Sequence, residues 1–436
     1  MSRKVFISVL GTGYYEPAKY YFDNDKKDYI ENRFVQVATF SHFCKDWCND
    51  DVIYLFLTEG AKKINWAENA QSKHKKESYP GLSVELQKIE EVQRIIQTVD
   101  ISDGNSEEEI WEIFNTVFSK LENGDKVYFD ITHAFRSIPM LLMVLINYSK
   151  FLKEIEVKSI TYGNWEAGKL DNGFAPVVDI TSFSVLQDWS GAAQEFMKFG
   201  RLSMTEEVLT KPLKNLSKKY KGSNDELNNL RKLLSTLQNT PENIYTTRGK
   251  NIYSANEVNS FREAMNANVG NFFPPLQPLL KKLDEKIEGF KPDNAIMNGF
   301  EGVKWCIHYD WIQQGFTLLL ETIISYLLMK MNENWEDEEL RNIVNGCSGI
   351  LKMKKPEEKW TGDAARNPGK TRLYLKKEIV SDFCEISYSL GGIRNDMNHA
   401  GMRSNPASVK RLKTSLPKLY EETMLLVKKW EEKNQL

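Results

Sequence analysis

The sequence predicts α/β plus all-α: a layered sheet domain followed by a purely helical half. Three observations carry this. Short β-branched and aromatic runs alternate with helical-period segments through the first part of the chain, these runs stop after about Thr181, and long amphipathic patterns replace them. The alternation is that of a parallel, doubly wound sheet with helices on both faces. At 436 residues the chain is too long for one core. The expected division is a sheet domain over 1–185, a helical linker region over 186–295 and a helical C-terminal domain over 296–436.

Taken in order, Lys4–Leu10, Val52–Thr58, Val127–Thr132 and Val157–Tyr162 read as strands, because each is apolar, β-branched or aromatic and bounded by turn residues. Between them, Phe34–Trp47, Ser83–Gln97, Glu107–Leu121 and Ala134–Leu152 keep a helical period. Beyond Thr181 the expected helices are Gln187–Lys218, Asp225–Leu237, Pro275–Glu288, Trp305–Met331, Glu336–Ile350, Lys377–Leu390 and Ala407–Glu432, with Gln238–Ser254 as a polar separator. Pro356, Gly362, Pro368 and Gly369 should make 352–377 loop-rich. That segment holds nine Lys or Arg against three Asp or Glu, so it is a local basic patch.

Composition narrows the function classes. A net charge of −2 gives no support to polyanion binding by the surface as a whole, and any nucleic-acid contact must be local. The five cysteines are odd in number and sparse, and no signal peptide precedes them, which fits a reducing cytoplasm. No apolar run reaches the roughly 18 to 20 residues of a membrane span, the longest candidate being Phe316–Met329, so a soluble protein without membrane contact is expected. His42, Cys44 and Cys48 have a zinc-like spacing but no second pair, and they read as part of an amphipathic helix with core cysteines. No metal site is expected. His308, in an aromatic-rich helix, is a weaker candidate for approaching a C-terminal site.

In an open parallel sheet, ligands bind at the carboxyl ends of the strands. Gly11-Thr12-Gly13 follows the first strand, Thr58-Glu59-Gly60 the second, and Asp130-Ile131-Thr132-His133 closes the third. These sequence-remote residues should converge on one rim. The glycines permit close backbone approach to a ligand, and Thr132, His133, Arg136 and Ser137 fall where a helix N-terminus attracts anions. A phosphate-bearing ligand is the expectation. The turn lacks the third glycine of a dinucleotide fingerprint, which argues against a conventional NAD site.

The second cluster is Arg394-Asn395-Asp396-Met397-Asn398-His399. Arginine clamps a phosphate and stabilises charge that builds in a transition state, and histidine passes a proton near neutral pH. Five residues apart, the two lie about 140° around an ideal helix and do not share a face. A symmetric dimer would bring two such pairs to one cleft. Gly391-Gly392 is expected to turn the chain into the motif, and Asn395 to orient Arg394 or the phosphate. The natural reaction is attack of an RNA 2′-hydroxyl on its own phosphate, leaving 2′,3′-cyclic phosphate ends and sparing DNA. Arg394 would stabilise the phosphorane-like charge, and His399 would transfer the proton or hold the 2′-oxygen.

The two clusters in this order resemble the CRISPR-associated CARF–HEPN ribonucleases of type III systems, over essentially the whole chain. Arg394-Asn395-x3-His399 is similar to the HEPN pattern, and Asp130-x-Thr132-His133 to the signature of the DxTHG branch, although Ala134 stands where that signature has glycine. The resemblance implies a Rossmann-like CARF domain that binds a cyclic oligoadenylate through Gly11, Thr12, Gly13, Thr132, His133 and Arg136. It implies a HEPN domain in which Arg394, Asn395 and His399 cut single-stranded RNA in a homodimer. Cyclic tetra-adenylate is the expected activator and cyclic hexa-adenylate the second choice, with no other cofactor. Two other classes stay open: a ligand-sensing regulator whose helical half binds a partner without chemistry, and a ring nuclease that degrades the cyclic oligoadenylate in the first domain.

Overall fold

Alternate side chains of the first strand, Lys4–Leu10, feed two separate cores. Val5, Ile7 and Val9 join one hydrophobic cluster and Phe6 and Leu10 another, as the two-residue period of a strand requires when both faces are covered. The computed structural model of the chain describes residues 2–23, 25–67, 70–71, 78–133, 138–202, 206–219, 224–266, 273–293 and 295–433. These form two units, Met1–Val185 and Leu186–Leu436. The helical half clusters as one unit, with no division near residue 295.

Among the described residues the main sheet of the first unit has eight strands: Lys4–Leu10 (β1), Ala18–Tyr21 (β2), Tyr29–Asn32 (β3), Val52–Leu57 (β4), Ile96–Asp100 (β5), Lys126–Asp130 (β6), Glu156–Gly163 (β7) and Phe174–Asp179 (β8). Their spatial order is β3-β2-β8-β7-β6-β1-β4-β5. β1 lies between β4 and β6 and is parallel to both, and β5 and β7 extend the parallel part. Helices Val35–Phe43 (α1) and Leu82–Gln87 (α2) contribute Val37, Phe40, Leu82 and Leu86 to the core of one face. Helices Glu107–Ser119 (α3) and Ile138–Lys153 (α4) contribute Ile113, Phe114, Leu142 and Ile146 to the other.

The sheet departs from the all-parallel expectation at one end. β8 pairs antiparallel with β7, and β3 antiparallel with β2. Only the short helix Trp165–Leu170 joins β7 to β8, which is too little chain for a parallel crossover of a dozen or more residues. Strand β5 also replaces the end of the helix expected over Ser83–Gln97. It is an edge strand with three exposed residues, so it lacks the continuous apolar run that marks its buried neighbours.

In the second unit the helix expected over Trp305–Met331 is two, Ala295–His308 (α5) and Ile312–Lys330 (α6), which pack on each other. The break is at Asp310, whose φ of 57° is left-handed. The run expected over Gln187–Lys218 is likewise broken, with Gly200 at φ 74° ending helix Ser182–Phe199. Asn224–Tyr245 is helical well into the expected polar separator, and 352–377 contains the short helices Gly362–Arg366 and Pro368–Leu375. α6 is long and apolar enough to cross a membrane, contrary to the expectation from run length, but about two thirds of it is buried within this unit. Helices Glu338–Met353 (α7), Cys384–Asn398 (α8) and Val409–Lys433 (α9) pack around it. Gly391 and Gly392 lie inside α8 and make no turn.

Candidate functional site

The carboxyl ends of β1, β4 and β6 do meet. A Cβ on Gly11 would stand 2.5 Å from the Tyr15 hydroxyl and 2.9 Å from the His133 carbonyl oxygen, so only glycine lets the β1 loop touch the β6 loop. On the other side Thr12 lies against Gly60, where an added Cβ would be 3.2 Å from its methyl group. Thr12, Gly13 and Glu59 form the exposed part of this rim. Glu59 is paired with Lys63, which holds its carboxyl below the usual range.

Two expected ligand residues support the rim from beneath it. Thr58 is fully buried and its hydroxyl accepts from the Ala61 N–H, capping the helical turn that follows β4. Asp130 is 1 % exposed. Its carboxylate accepts from Ser8 Oγ at 2.8 Å and from Thr132 N and Oγ1 at 3.0 and 2.5 Å. Burial raises its pKa against those hydrogen bonds. Thr132 Oγ1 also accepts from Gly163 N at 2.8 Å, so the Asp-x-Thr pair ties β1, β6 and β7 together.

His133 is different. Its Nε2 is buried and has no hydrogen-bond partner, and burial pushes its pKa down to about 3. The ring packs on Tyr15 with centroids 4.0 Å apart. A neutral imidazole with an unsatisfied nitrogen, enclosed beside exposed Thr12 and Gly13, is an incomplete hydrogen-bond site. Arg136 and Ser137 lie outside the described residues, as does Ala134.

Sequence reasoning missed the residues that shape this loop. Asn65 is buried and donates to the carbonyls of Gly11 and Gly13 at 2.8 and 2.9 Å, while Tyr79 donates to its Oδ1. Arg33 lies 4.0 Å over the Tyr79 ring and donates to the Tyr15 carbonyl. A lone Asn or Arg in the chain carries no signal of such a role.

In the second unit the Arg-x4-His motif occupies the end of α8. His399 is the exposed C-cap residue, its N–H bonded to the Asn395 carbonyl at 3.2 Å, and Asn395 is exposed beside it. Arg394 is partly buried and donates from Nη1 to Glu321 Oε1 of α6 at 2.9 Å. Arg341 of α7 donates to the other oxygen, Oε2, at 2.7 Å. Two guanidiniums around one carboxylate leave a net positive charge, and Arg394 Nε is buried without a partner. Neither Glu321 nor Arg341 was foreseen. Asp396 is structural, since its buried carboxylate accepts from Ala407 N at 2.9 Å. His308 lies elsewhere in this unit, in a cavity of about 600 Å³ with Lys286, Glu301 and Trp305. Cys44 is buried, as expected, whereas Cys48 is exposed, both lie beyond the end of α1, and His42 stacks on Phe22 at 3.8 Å.

Residues 5–166 match the family model described as the CARF domain of the CRISPR system endoribonuclease Csx1. The first unit carries a CARF domain. A stretch of 119 residues, 27% of this chain, is 31% identical to the CRISPR-associated protein MJ1674 of Methanocaldococcus jannaschii. The match covers 19% of that protein, so the chain spans about a fifth of the length of the curated relative it matches. The convergent loops of β1, β4 and β6 fall within residues 5–166, the part that matches the CARF model. The Arg394 motif lies outside residues 5–166.

Proposed function

We propose that the chain is an ancillary effector of type III CRISPR antiviral defence, a cytoplasmic, metal-independent endoribonuclease of the HEPN type, switched on by a cyclic oligoadenylate at its CARF rim. The observation that carries the reading is the net-positive Arg394–Glu321–Arg341 cluster beside exposed Asn395 and His399 at one helix end. Such a cluster attracts a phosphate while keeping Arg394 in a fixed orientation.

In the reaction, the 2′-hydroxyl of single-stranded RNA attacks the adjacent phosphorus, and the 5′-oxygen leaves. His399 moves the proton or holds the 2′-oxygen, Arg394 balances the charge that builds on the phosphate oxygens, and Asn395 orients the phosphate. The products carry 2′,3′-cyclic phosphate and 5′-hydroxyl ends. A homodimer places two motifs on one cleft and lets two CARF rims share one nearly symmetric activator. The unpartnered Nε2 of His133 supports a ring contact, with cyclic tetra-adenylate as first choice and cyclic hexa-adenylate as second. DxTHG-branch membership rests on Asp130, Thr132 and His133.

The test is incubation of the full chain with labelled RNA, EDTA and each cyclic oligoadenylate. Activator-dependent cutting is expected, and its absence overturns the reading. The ion pair of Arg394 with Glu321 also suits a non-catalytic sensor whose helical unit binds a partner, and under that reading His399→Ala leaves function intact.

A further inference from the structure

The helical unit holds an unassigned cleft of about 260 Å³ between α7 and α8. Its lining includes Gly349 of α7 and Gly391 and Gly392 of α8, each with open space where a Cβ would stand. Small residues alone would make only a groove. Ser387 gives it the character of a site: the residue is 6 % exposed, lines the cleft, and its hydroxyl is buried with no hydrogen-bond partner. A buried hydroxyl left unpaired is unfavourable, so a ligand that completes it is favoured there.

Two further kinds of group surround that hydroxyl. Lys355 and Lys359 line the cleft and are in no ion pair among the described residues. Trp360 and Tyr388 also line it, and neither ring packs on another aromatic among the described residues. The Trp360 indole N–H donates to the Lys355 carbonyl at 3.1 Å, which fixes the ring. Cations with unpaired aromatic faces are the combination that binds single-stranded nucleic acid, where bases stack and phosphates meet lysines. Helix spacing links the cleft to the motif: Ser387, Gly391, Arg394 and Asn395 follow one face of α8, and Arg394 lies roughly 10 Å along the axis from Ser387.

We propose that this cleft is a nucleotide subsite for single-stranded RNA, one that seats a base near the bond to be cut. The base stacks on Trp360 or Tyr388, its edge meets the Ser387 hydroxyl, and Lys355 and Lys359 hold the flanking phosphates. The cavity is at the small end for ligand sites and suits one nucleotide, not a duplex. This inference rests on the reading of the chain as an RNA-cutting protein.

The test uses the full chain carrying His399→Ala, titrated with a short labelled single-stranded RNA in EDTA. Lys359→Glu, Trp360→Ala and Gly391→Leu should each weaken binding roughly tenfold, and Ser387→Ala roughly threefold. Lys359 is exposed, so its variant should fold even where the Trp360 variant does not. Binding by Lys359→Glu and Ser387→Ala within about twofold of the parent overturns the subsite, and so does a parent that binds no RNA. Cleavage by the unmutated chain is followed separately. Normal cutting with unaffected binding in these variants removes the subsite alone, whereas cleft-dependent binding without any cutting removes the nuclease reading alone.

Discussion

Arg394 and Glu321 are joined at 2.9 Å between α8 and α6, and the second oxygen of the same carboxylate is held by Arg341. One carboxylate therefore sets the direction of the guanidinium that is proposed to meet the phosphate. Glu321→Ala should lower activator-dependent cleavage by about 10- to 100-fold, the scale of loss from misplaced reacting groups. RNA affinity should rise at low salt, because the variant removes a negative charge from a basic cluster. Both arginine–glutamate pairs are partly solvated, so the stability cost is about 1 kcal/mol. Single-turnover rates, RNA titrations and thermal melting separate these effects, and an unchanged rate would make the contact merely structural.

His399 and Asn395 are exposed at the end of α8, so their removal should leave the fold intact. His399→Ala should reduce cleavage by at least about 100-fold, as expected for loss of a proton-transfer group, with melting within about 0.5 kcal/mol of the parent. Arg394→Lys keeps the charge but loses the planar fork, and should fall nearly as far. Rates on labelled RNA together with melting curves check both. A His399→Ala protein that still cuts at the normal rate removes this residue from the chemistry.

At the CARF rim the decisive contact is steric. Gly11→Ala would drive a Cβ into the His133 carbonyl and the Tyr15 hydroxyl, and should cost about 1 to 3 kcal/mol while weakening activator binding. Gly191→Ala is the contrasting change: it lies inside helix Ser182–Phe199 with nothing near its Cβ position, and should stabilise by about 0.5 to 1 kcal/mol. Urea unfolding of both variants reads the two signs directly. A neutral Gly11→Ala would mean that the loops of β1 and β6 are not in contact.

The difference between these glycines shows what the chain made legible. Continuous apolar strands announced β1, β4, β6 and β7, and the turn residues after three of them announced the rim, because such local chemistry is written in neighbouring positions. The edge strands β3 and β5, and the four-residue β2 between β3 and β8, carry no such run. The turn at Asp310 has neither glycine nor proline beside it, so two helices read as one. Asp130 and Thr58 look like ligand residues in the sequence, yet the fold buries them, and only the partners Ser8, Thr132 and Ala61 reveal their bracing role. Glu321 and Arg341 could not be foreseen, since their meaning comes from packing against α8 across long stretches of chain.

His133 offers a pH test of the rim. Its folded pKa of about 3 lies below the ordinary 6.5, so between those values the unfolded chain binds a proton that the folded chain refuses. Stability is therefore present in full above about pH 6.5 and declines as pH falls, by up to about 1.4 kcal/mol per unit. Asp130 acts in the opposite sense, because its raised pKa favours the fold at low pH. Asp51 and Asp382, whose pKa values are depressed, lose their contributions only below the ordinary carboxylate value of 3.8. His42 and His308, whose pKa values burial also lowers, share the decline between pH 6.5 and 5, so His133→Leu should make it shallower in urea unfolding at pH 7, 6 and 5. Across pH 7 to 8 the imidazole stays neutral, so it offers the activator a hydrogen bond and no charge. An equal slope in the variant would show that the ring is solvated and free to protonate, and the hydrogen-bond site proposed for the activator would lose its enclosed nitrogen.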